Sequence, residues 1–363
     1  MNLNIYNLVR KNIQQLIPYQ SARRIGGKGS IWLNANESTE SNSFLLKESY
    51  FNRYPEVQPQ SLILRYANYI NLSPGNILVT RGADEGIELL MRAFCEPGQD
   101  SIIYCSPTYD MYKINANILG IECRNIKMLN NWQLDVEKIC DQSFGVKLIY
   151  ICSPNNPTGN IIRSVDIEQI IQVFSDTGIV VIDEAYIEFC EKYSVLHWIK
   201  KYSNLVILRT LSKAFALAAL RCGFVIANEV IIDVLSKIIA PYPIPKPVSD
   251  IAYEALSQDS IKAMKKRVQD LIYNRTWVIK ELNKNTYVEK IFTTESNYIL
   301  VRFINAEKIF NWLSKHGVIV RNQNKKMFLK QCIRITVGTF IECSTLINIL
   351  NLFNKYHERR NTC

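Results

Sequence analysis

The sequence predicts an α/β fold: a mostly parallel sheet covered by helices on both faces, followed by a smaller α+β unit. Three observations carry that expectation. Short apolar runs recur through the first two-thirds of the chain, and their near-continuous hydrophobic character is that of strands buried on both faces. Stretches with apolar residues at helical spacing, such as ADEGIELLMRAF (83–94), fall between several of those runs. A Pro-rich segment, APYPIPKPV (240–248), then separates this alternation from a different pattern.

Taken in order, the runs at 77–80, 101–105, 148–152, 179–182, 205–208 and 224–227 read as strands. The interval after the first is helical. Not all of the others are, so a strictly parallel order does not follow. Beyond the Pro-rich boundary loop the spacing predicts a helix over 251–282, a strand at 298–303 and a helix over 306–316. Strands at 318–320 and 333–337 and a closing helix complete the pattern. The expected division is a large domain at 46–249, with an N-terminal arm (1–45) and residues 250–363 forming the small domain.

At 363 residues, 48% hydrophobic and 21% charged, the chain has enough apolar content for a sizeable core, which excludes disorder as its main state. Lys+Arg 43 against Asp+Glu 33 leaves +10, an excess that invites a nucleic-acid reading. The cations are scattered without a basic block, in a chain rich throughout in Asn, Ile, Lys and Tyr, so a residue bias accounts for the charge. Ten cysteines show no C-x-x-C spacing, which argues against a zinc ribbon or a dithiol redox site and for reduced thiols in a cytoplasmic protein. Three distant histidines, His197, His316 and His357, do not support a metal site or a Ser-His-Asp triad. The N-terminus lacks a signal-peptide core, although the absence of acidic residues before Glu37 leaves an organellar transit peptide open. The longest apolar candidate, 205–227, contains Arg209, Lys213 and Arg221 and does not read as a membrane span.

Ligands of an α/β sheet bind where strands end and loops lead away. Unusual polar residues fall repeatedly at those ends. Gly82-Ala83-Asp84-Glu85 follows Thr80, SPNNPTG (153–159) follows LIYIC, and Asp183-Glu184-Ala185-Tyr186 follows GIVVI. Thr210-Leu211-Ser212-Lys213 follows LVILR, with Arg221 a short way on. Four such coincidences on successive strands point to one shared pocket.

These blocks resemble the fold-type-I pyridoxal-phosphate enzymes and, within them, the histidinol-phosphate aminotransferases. The likeness runs from PYQSAR (18–23), LNANE (33–37) and NRYPE (52–56) through RGADE (81–85), PTYDMY (107–112) and SPNNPTG. It continues in IDEAYIEF (182–189) and TLSKAFALAALRCGF (210–224), and ends in RNQNK (321–325) and IRITVGT (333–339). The resemblance implies an aspartate-aminotransferase-like fold with a seven-stranded sheet, pyridoxal 5'-phosphate as cofactor and a homodimer with shared active sites.

Such a cofactor needs an amine, a ring partner and an anion cradle. The resemblance assigns the amine to Lys213, whose apolar neighbours favour its neutral form. Asp183 is implied as partner of the ring nitrogen; taken alone it reads as a helix N-cap. Asn156 and Tyr186 are implied at the ring hydroxyl, and Tyr109 as the ring that stacks on the cofactor. The phosphate is expected on the N–H groups of Ala83 and Asp84, with Thr210, Ser212 and Arg221 completing the cradle. Tyr54 is implied to reach a neighbouring subunit's phosphate. Arg334 is implied to grip a substrate carboxylate, Arg321 to add charge for the phosphate end, and Tyr19 to cover the pocket. Asn156 counts among the substrate-facing residues too. One departure stands out: Ala219 occupies a position where the family commonly has Gly.

The implied reaction moves an amino group between histidinol phosphate and 2-oxoglutarate, or between glutamate and imidazole-acetol phosphate in the biosynthetic direction. Aromatic aminotransferases and threonine-phosphate decarboxylases look similar and stay as rivals. A sensor fused to a DNA-reading module does not fit, because motifs from residue 18 to residue 339 leave no room for one. Neither a nucleic-acid partner, a metal nor a membrane is expected.

Overall fold

A computed structural model describes residues 5–18, 28–44 and 51–361 of the chain. The strands among them are β1 (Ile31–Leu33), β2 (Ile77–Thr80), β3 (Ser101–Ser106), β4 (Glu122–Lys127), β5 (Val146–Cys152) and β6 (Ile179–Asp183). They continue as β7 (Leu205–Thr210), β8 (Gly223–Ala227), β9 (Val288–Ile291), β10 (Tyr298–Phe303), β11 (Val318–Asn322) and β12 (Cys332–Thr336). The helices used below are α1 (Gln60–Ile70), α2 (Ala83–Phe94), α3 (Met111–Leu119), α4 (Ser164–Val173), α5 (Glu229–Ser236), α6 (Lys246–Ala255), α7 (Gln258–Leu282) and α8 (Phe340–Asn361). None of the described helices is long and apolar enough to cross a membrane.

One sheet has seven strands in the order β2-β8-β7-β6-β5-β3-β4. Neighbours from β7 to β4 pair in parallel, whereas β8 runs antiparallel to both β7 and β2. The reversal has a local cause: between Thr210 and Gly223 the chain makes only a short 3-10 turn (Ala218–Leu220) and no crossover helix. Strand alternation sorts the core into two layers. Ile103, Ile149, Ile182 and Ile207 pack with α1, α4 and α7. Ile102, Leu148, Val181 and Leu208 pack on the other face with α2, α3 and α5.

A second sheet, β1-β11-β12-β10-β9, is antiparallel except that β1 pairs in parallel with β11, Ile31 opposite Val318. Residues near the start of the chain thus complete a sheet built mostly from its last third.

Three strands lie outside the sequence expectation. In β4 only Ile126 is buried, as befits an edge strand with no apolar run to betray it. β1 and β9 are short edges, with only Leu33 fully buried in the first and no residue fully buried in the second. The helix expected over 251–282 is two helices, α6 and α7. The break falls at Leu256-Ser257, where Ser257 Oγ accepts a hydrogen bond from the Ser260 N–H and starts the second helix. Apolar periodicity continues across the break and conceals it.

A buried ion pair ties β6 to β7 just behind the polar strand ends. Arg209 donates from Nε and Nη2 to Glu184 Oε2 at 2.9 and 2.7 Å, with side chains only 8% and 1% exposed. Ser194 Oγ and the Val195 N–H, each 2.9 Å from a Glu184 oxygen, satisfy the remaining acceptors. Alternation puts this pair on the sheet face opposite Asp183 and Thr210, so it braces those two residues from behind. Replacing Arg209 by Met strands the Glu184 charge and is expected to lower stability by about 3–5 kcal/mol in urea unfolding. Glu184→Met in the same chain, which removes both charges, should recover most of that loss.

Candidate active site

Parallel strands β5, β6 and β7 end at one edge, and antiparallel β8 begins there. That edge and the facing wall of the second sheet enclose a cavity of about 460 Å³. The reversal of β8 matters to its composition, since it delivers the residue that precedes a strand, Arg221, to the place where the others deliver residues that follow one.

At one end lies a cradle for an anion. α2 opens here with Gly82 as its N-cap at φ 78°, and Ala83 and Asp84 occupy its first turn. Gly223 has no room for a side chain, because a Cβ would stand 2.5 Å from the Gly82 carbonyl carbon and 2.7 Å from Ala83 N. This close approach seats the start of β8 against the helix N-terminus, where N–H groups and the dipole favour negative charge. Thr210 Oγ1 accepts from the Ser212 N–H at 3.1 Å and lies 2.8 Å from Ser212 Oγ. Arg221, at φ 55°, donates to Ser212 Oγ at 3.3 Å and lies 3.4 Å from Asp84 Oδ2. Ala219 is exposed and does not have a positive φ, so a side chain at this position meets no left-handed backbone strain.

Asp183 and Lys213 occupy the middle. The carboxylate of Asp183 accepts from Tyr112 Oη at 2.7 Å and from the Ala185 N–H at 3.0 Å. Burial raises its pKa to about 6, against the pull of those two donors. Lys213 Nζ donates to the Ala35 carbonyl at 3.1 Å and sits 5.7 Å from the centre of the Tyr186 ring. Burial, and then the nearby Arg334 cation, lower its pKa to about 8. Tyr109 donates to Asp84 Oδ1 at 2.9 Å and meets Tyr112 edge-on.

A connected polar network forms the far wall. Arg334 donates to Asn156 Oδ1 at 2.6 Å and to the Asn34 carbonyl at 2.8 Å. Asn156 Nδ2 and Asn36 Nδ2 donate in turn to Tyr186 Oη at 3.3 and 3.0 Å. Burial pushes the Tyr186 hydroxyl well up, so it stays protonated. Arg321 stands opposite Arg334 in the register of β11 and β12 and lines the same cavity. Lys326, in the turn after β11, donates to Asp110 Oδ2 at 2.9 Å.

Of the site residues read from the sequence, Tyr54 is the described one that the fold does not bring here. It is 81% exposed, stacked on Tyr242 at 4.4 Å, beside a separate cavity lined by Arg53 and Tyr253. Tyr19 lies outside the described residues. Sequence reasoning missed Tyr112, Asn34, Asn36 and Lys326. Tyr112 falls inside the quoted block PTYDMY and the two asparagines inside LNANE, but no spacing rule pairs Tyr112 with Asp183 or Asn36 with Tyr186, which lie 71 and 150 residues apart.

Residues 30–350 match the family described as aminotransferase class I and II. A histidinol-phosphate aminotransferase from Buchnera aphidicola subsp. Acyrthosiphon pisum (strain Tuc7) is 56% identical over 357 residues, 98% of this chain and 97% of that one. Another, from Escherichia coli O9:H4 (strain HS), is 52% identical over 348 residues, 96% of this chain and 98% of that one. Among solved structures, the histidinol-phosphate aminotransferase from Clostridium acetobutylicum aligns with a TM-score of 0.82 at 24% identity, over 90% of this chain and 100% of that one. The one from Sinorhizobium meliloti, in complex with pyridoxal-5'-phosphate, aligns with a TM-score of 0.82 at 19% identity, over 95% of this chain and 98% of that one. At such identities these two structures establish the fold alone.

The electrostatics of the cavity centre can be read directly. In cofactor-free protein, acylation of Lys213 followed by mass spectrometry should rise with pH around a midpoint near 8, below the 10.5 of an ordinary lysine. Arg334→Met removes a cation that repels the Lys213 ammonium, so the midpoint should move upward. A midpoint near 10.5 in the unaltered protein would refute this account.

Proposed function

The chain belongs to the class I and II aminotransferases, among the histidinol-phosphate aminotransferases, and on that premise we propose how its residues perform the transfer. It moves an amino group between L-histidinol phosphate and 2-oxoglutarate, or between glutamate and imidazole-acetol phosphate in the direction of histidine biosynthesis. The observation that carries the residue assignment is the arrangement of one cavity: an anion cradle at one end, Lys213 and Asp183 in the middle, and an arginine pair at the other end.

Pyridoxal 5'-phosphate suits these residues. Gly82 leaves the cradle open, since a Cβ there would meet Arg221 Nη2 at 2.7 Å. At the substrate end of the same cavity, apart from the cofactor's contacts, Arg334 Nε is buried without a partner, the mark of a donor that awaits a ligand. The cofactor phosphate is assigned to the N–H groups of Ala83 and Asp84 with Thr210, Ser212 and Arg221. Tyr109 would stack on its ring, Asp183 would pair with the ring nitrogen, and Asn156 and Tyr186 would meet the ring hydroxyl. When bound, the group supplies an electron sink for the charge left on the substrate α-carbon.

The rest follows from this chain's own side chains. Lys213 Nζ, which burial and the Arg334 cation bias toward its neutral form, accepts the α-proton as a general base and returns it as an acid. Asp183 holds the proton of the ring nitrogen, and the Tyr112 hydroxyl orients its carboxylate at 2.7 Å. Arg334 orients the substrate through a carboxylate or phosphate oxygen, with Arg321 adding charge beside it. Tyr54, exposed on this subunit, is assigned to the phosphate of a neighbouring copy in a homodimer, and Tyr19 to the cover of the pocket. The large domain at 46–249 would then hold the cofactor, and the arm with 250–363 would supply most of the substrate wall.

A coupled transamination assay on purified, cofactor-loaded protein tests the reading. Histidinol phosphate with 2-oxoglutarate should turn over faster than aromatic amino acids, and threonine phosphate should not be decarboxylated. Lys213→Ala should lower kcat by at least about a hundredfold. Turnover of aromatic donors but not of histidinol phosphate would replace the proposed substrate while leaving the reaction type intact.

A further inference from the structure

The two amino donors of this reaction differ in the anion they present, and the cavity has to admit both. Glutamate brings carboxylates with one charge each. Histidinol phosphate brings a phosphate with a third terminal oxygen and close to two charges. Arg334 and Arg321 are cross-strand partners in β12 and β11, and both line the cavity. Two guanidinium groups match the charge of a phosphate dianion but leave its third terminal oxygen without a dedicated partner.

We propose that Lys326 distinguishes a phosphate dianion from a carboxylate at this end of the cavity, as the third cation of a site whose other two are Arg334 and Arg321. This rests on the reading of the pocket as a histidinol-phosphate site. Lys326 lines the cavity. Its ammonium donates to Asp110 Oδ2 at 2.9 Å and, at the longer distance of 3.4 Å, to the Thr108 carbonyl. An ammonium has three donors, so one remains for a ligand. Lys326 and Asp110 cancel each other's charge, so the two guanidinium groups match the dianion's charge and the lysine adds a charged donor for the third phosphate oxygen. Burial, together with the Arg334 and Arg321 charges, holds the Lys326 amine below its ordinary pKa, so an arriving anion relieves an existing repulsion.

Asp110 is the standby partner. With a carboxylate in the site, Lys326 stays on Asp110; with a phosphate, the flexible lysine stem lets the ammonium share itself with the ligand oxygen. Lys326 and Asp110 therefore act with opposite sign on phosphate binding.

The test is calorimetric titration of inorganic phosphate into cofactor-saturated enzyme, for the unaltered protein and for K326M and D110N. K326M should weaken phosphate binding about ten- to a hundredfold, the worth of a hydrogen bond to a charged group. D110N should tighten it several-fold. The ratio of kcat/KM for histidinol phosphate over that for glutamate should fall about ten- to a hundredfold in K326M, and K326R should restore much of it. Equal phosphate binding by K326M and the unaltered protein would overturn the proposal. Weakening by both K326M and D110N would also overturn it, because that is the signature of a tie between two loops. If the unaltered enzyme fails to use histidinol phosphate, the functional reading falls, while the phosphate titration still decides the role of Lys326.

Discussion

Strand polarity is the constraint on which the rest of this molecule depends. Because β5, β6 and β7 are parallel, the residues that leave their carboxyl ends meet at one edge of the sheet. Because β8 alone reverses, its leading residue joins them there. Asn156, Asp183, Ser212, Lys213 and Arg221 are neighbours for that reason only. Two further devices hold the edge in shape. The Glu184–Arg209 pair locks β6 to β7 from the opposite face, and Gly223 lets β8 start in contact with the first turn of α2.

Enclosure then gives the gathered groups their chemical character. Removal from water raises the pKa of Asp183 and lowers that of Lys213, moving both toward neutrality. The two effects differ in what opposes them. Asp183 has the Tyr112 hydroxyl and the Ala185 N–H to support its charge, whereas Lys213 has the repulsion of Arg334 added to its burial. The same cavity therefore holds a carboxyl group with a pKa near 6 and an amine with one near 8, both set by their surroundings.

Most of the central site was legible in the sequence because polar residues interrupt apolar strands at regular places. The segments ending in Asp183-Glu184 and in Thr210-Leu211-Ser212-Lys213 announce themselves against the buried runs before them. Tyr112 gave no such signal: on a helix packed against the sheet a tyrosine reads as core, and only the fold turns its hydroxyl onto Asp183. The edge strands β4 and β9 were illegible because a strand with little buried surface carries no hydrophobic pattern, and β1 because three apolar residues are too short a run to read as a strand. Nor does the net charge of +10 require a polymer partner, since several of the cations have work inside one cavity and the others are spread along the chain.

By itself the sequence determined the α/β class, the extent of the apolar strands and the chemical inventory at their ends, because periodicity and residue type are local properties. Motif by motif, it also carried the family likeness. Tertiary structure decided which members of that inventory touch. Arg334 reaches Asn156 across 178 residues and Asn34 across 300, and Lys326 meets the segment around Tyr109 across more than two hundred. Tyr54, as readable in sequence as any of them, does not line the cavity and stacks on Tyr242 instead. Contacts of that kind arise from the meeting of two sheets, and no local rule of spacing encodes where two sheets will meet.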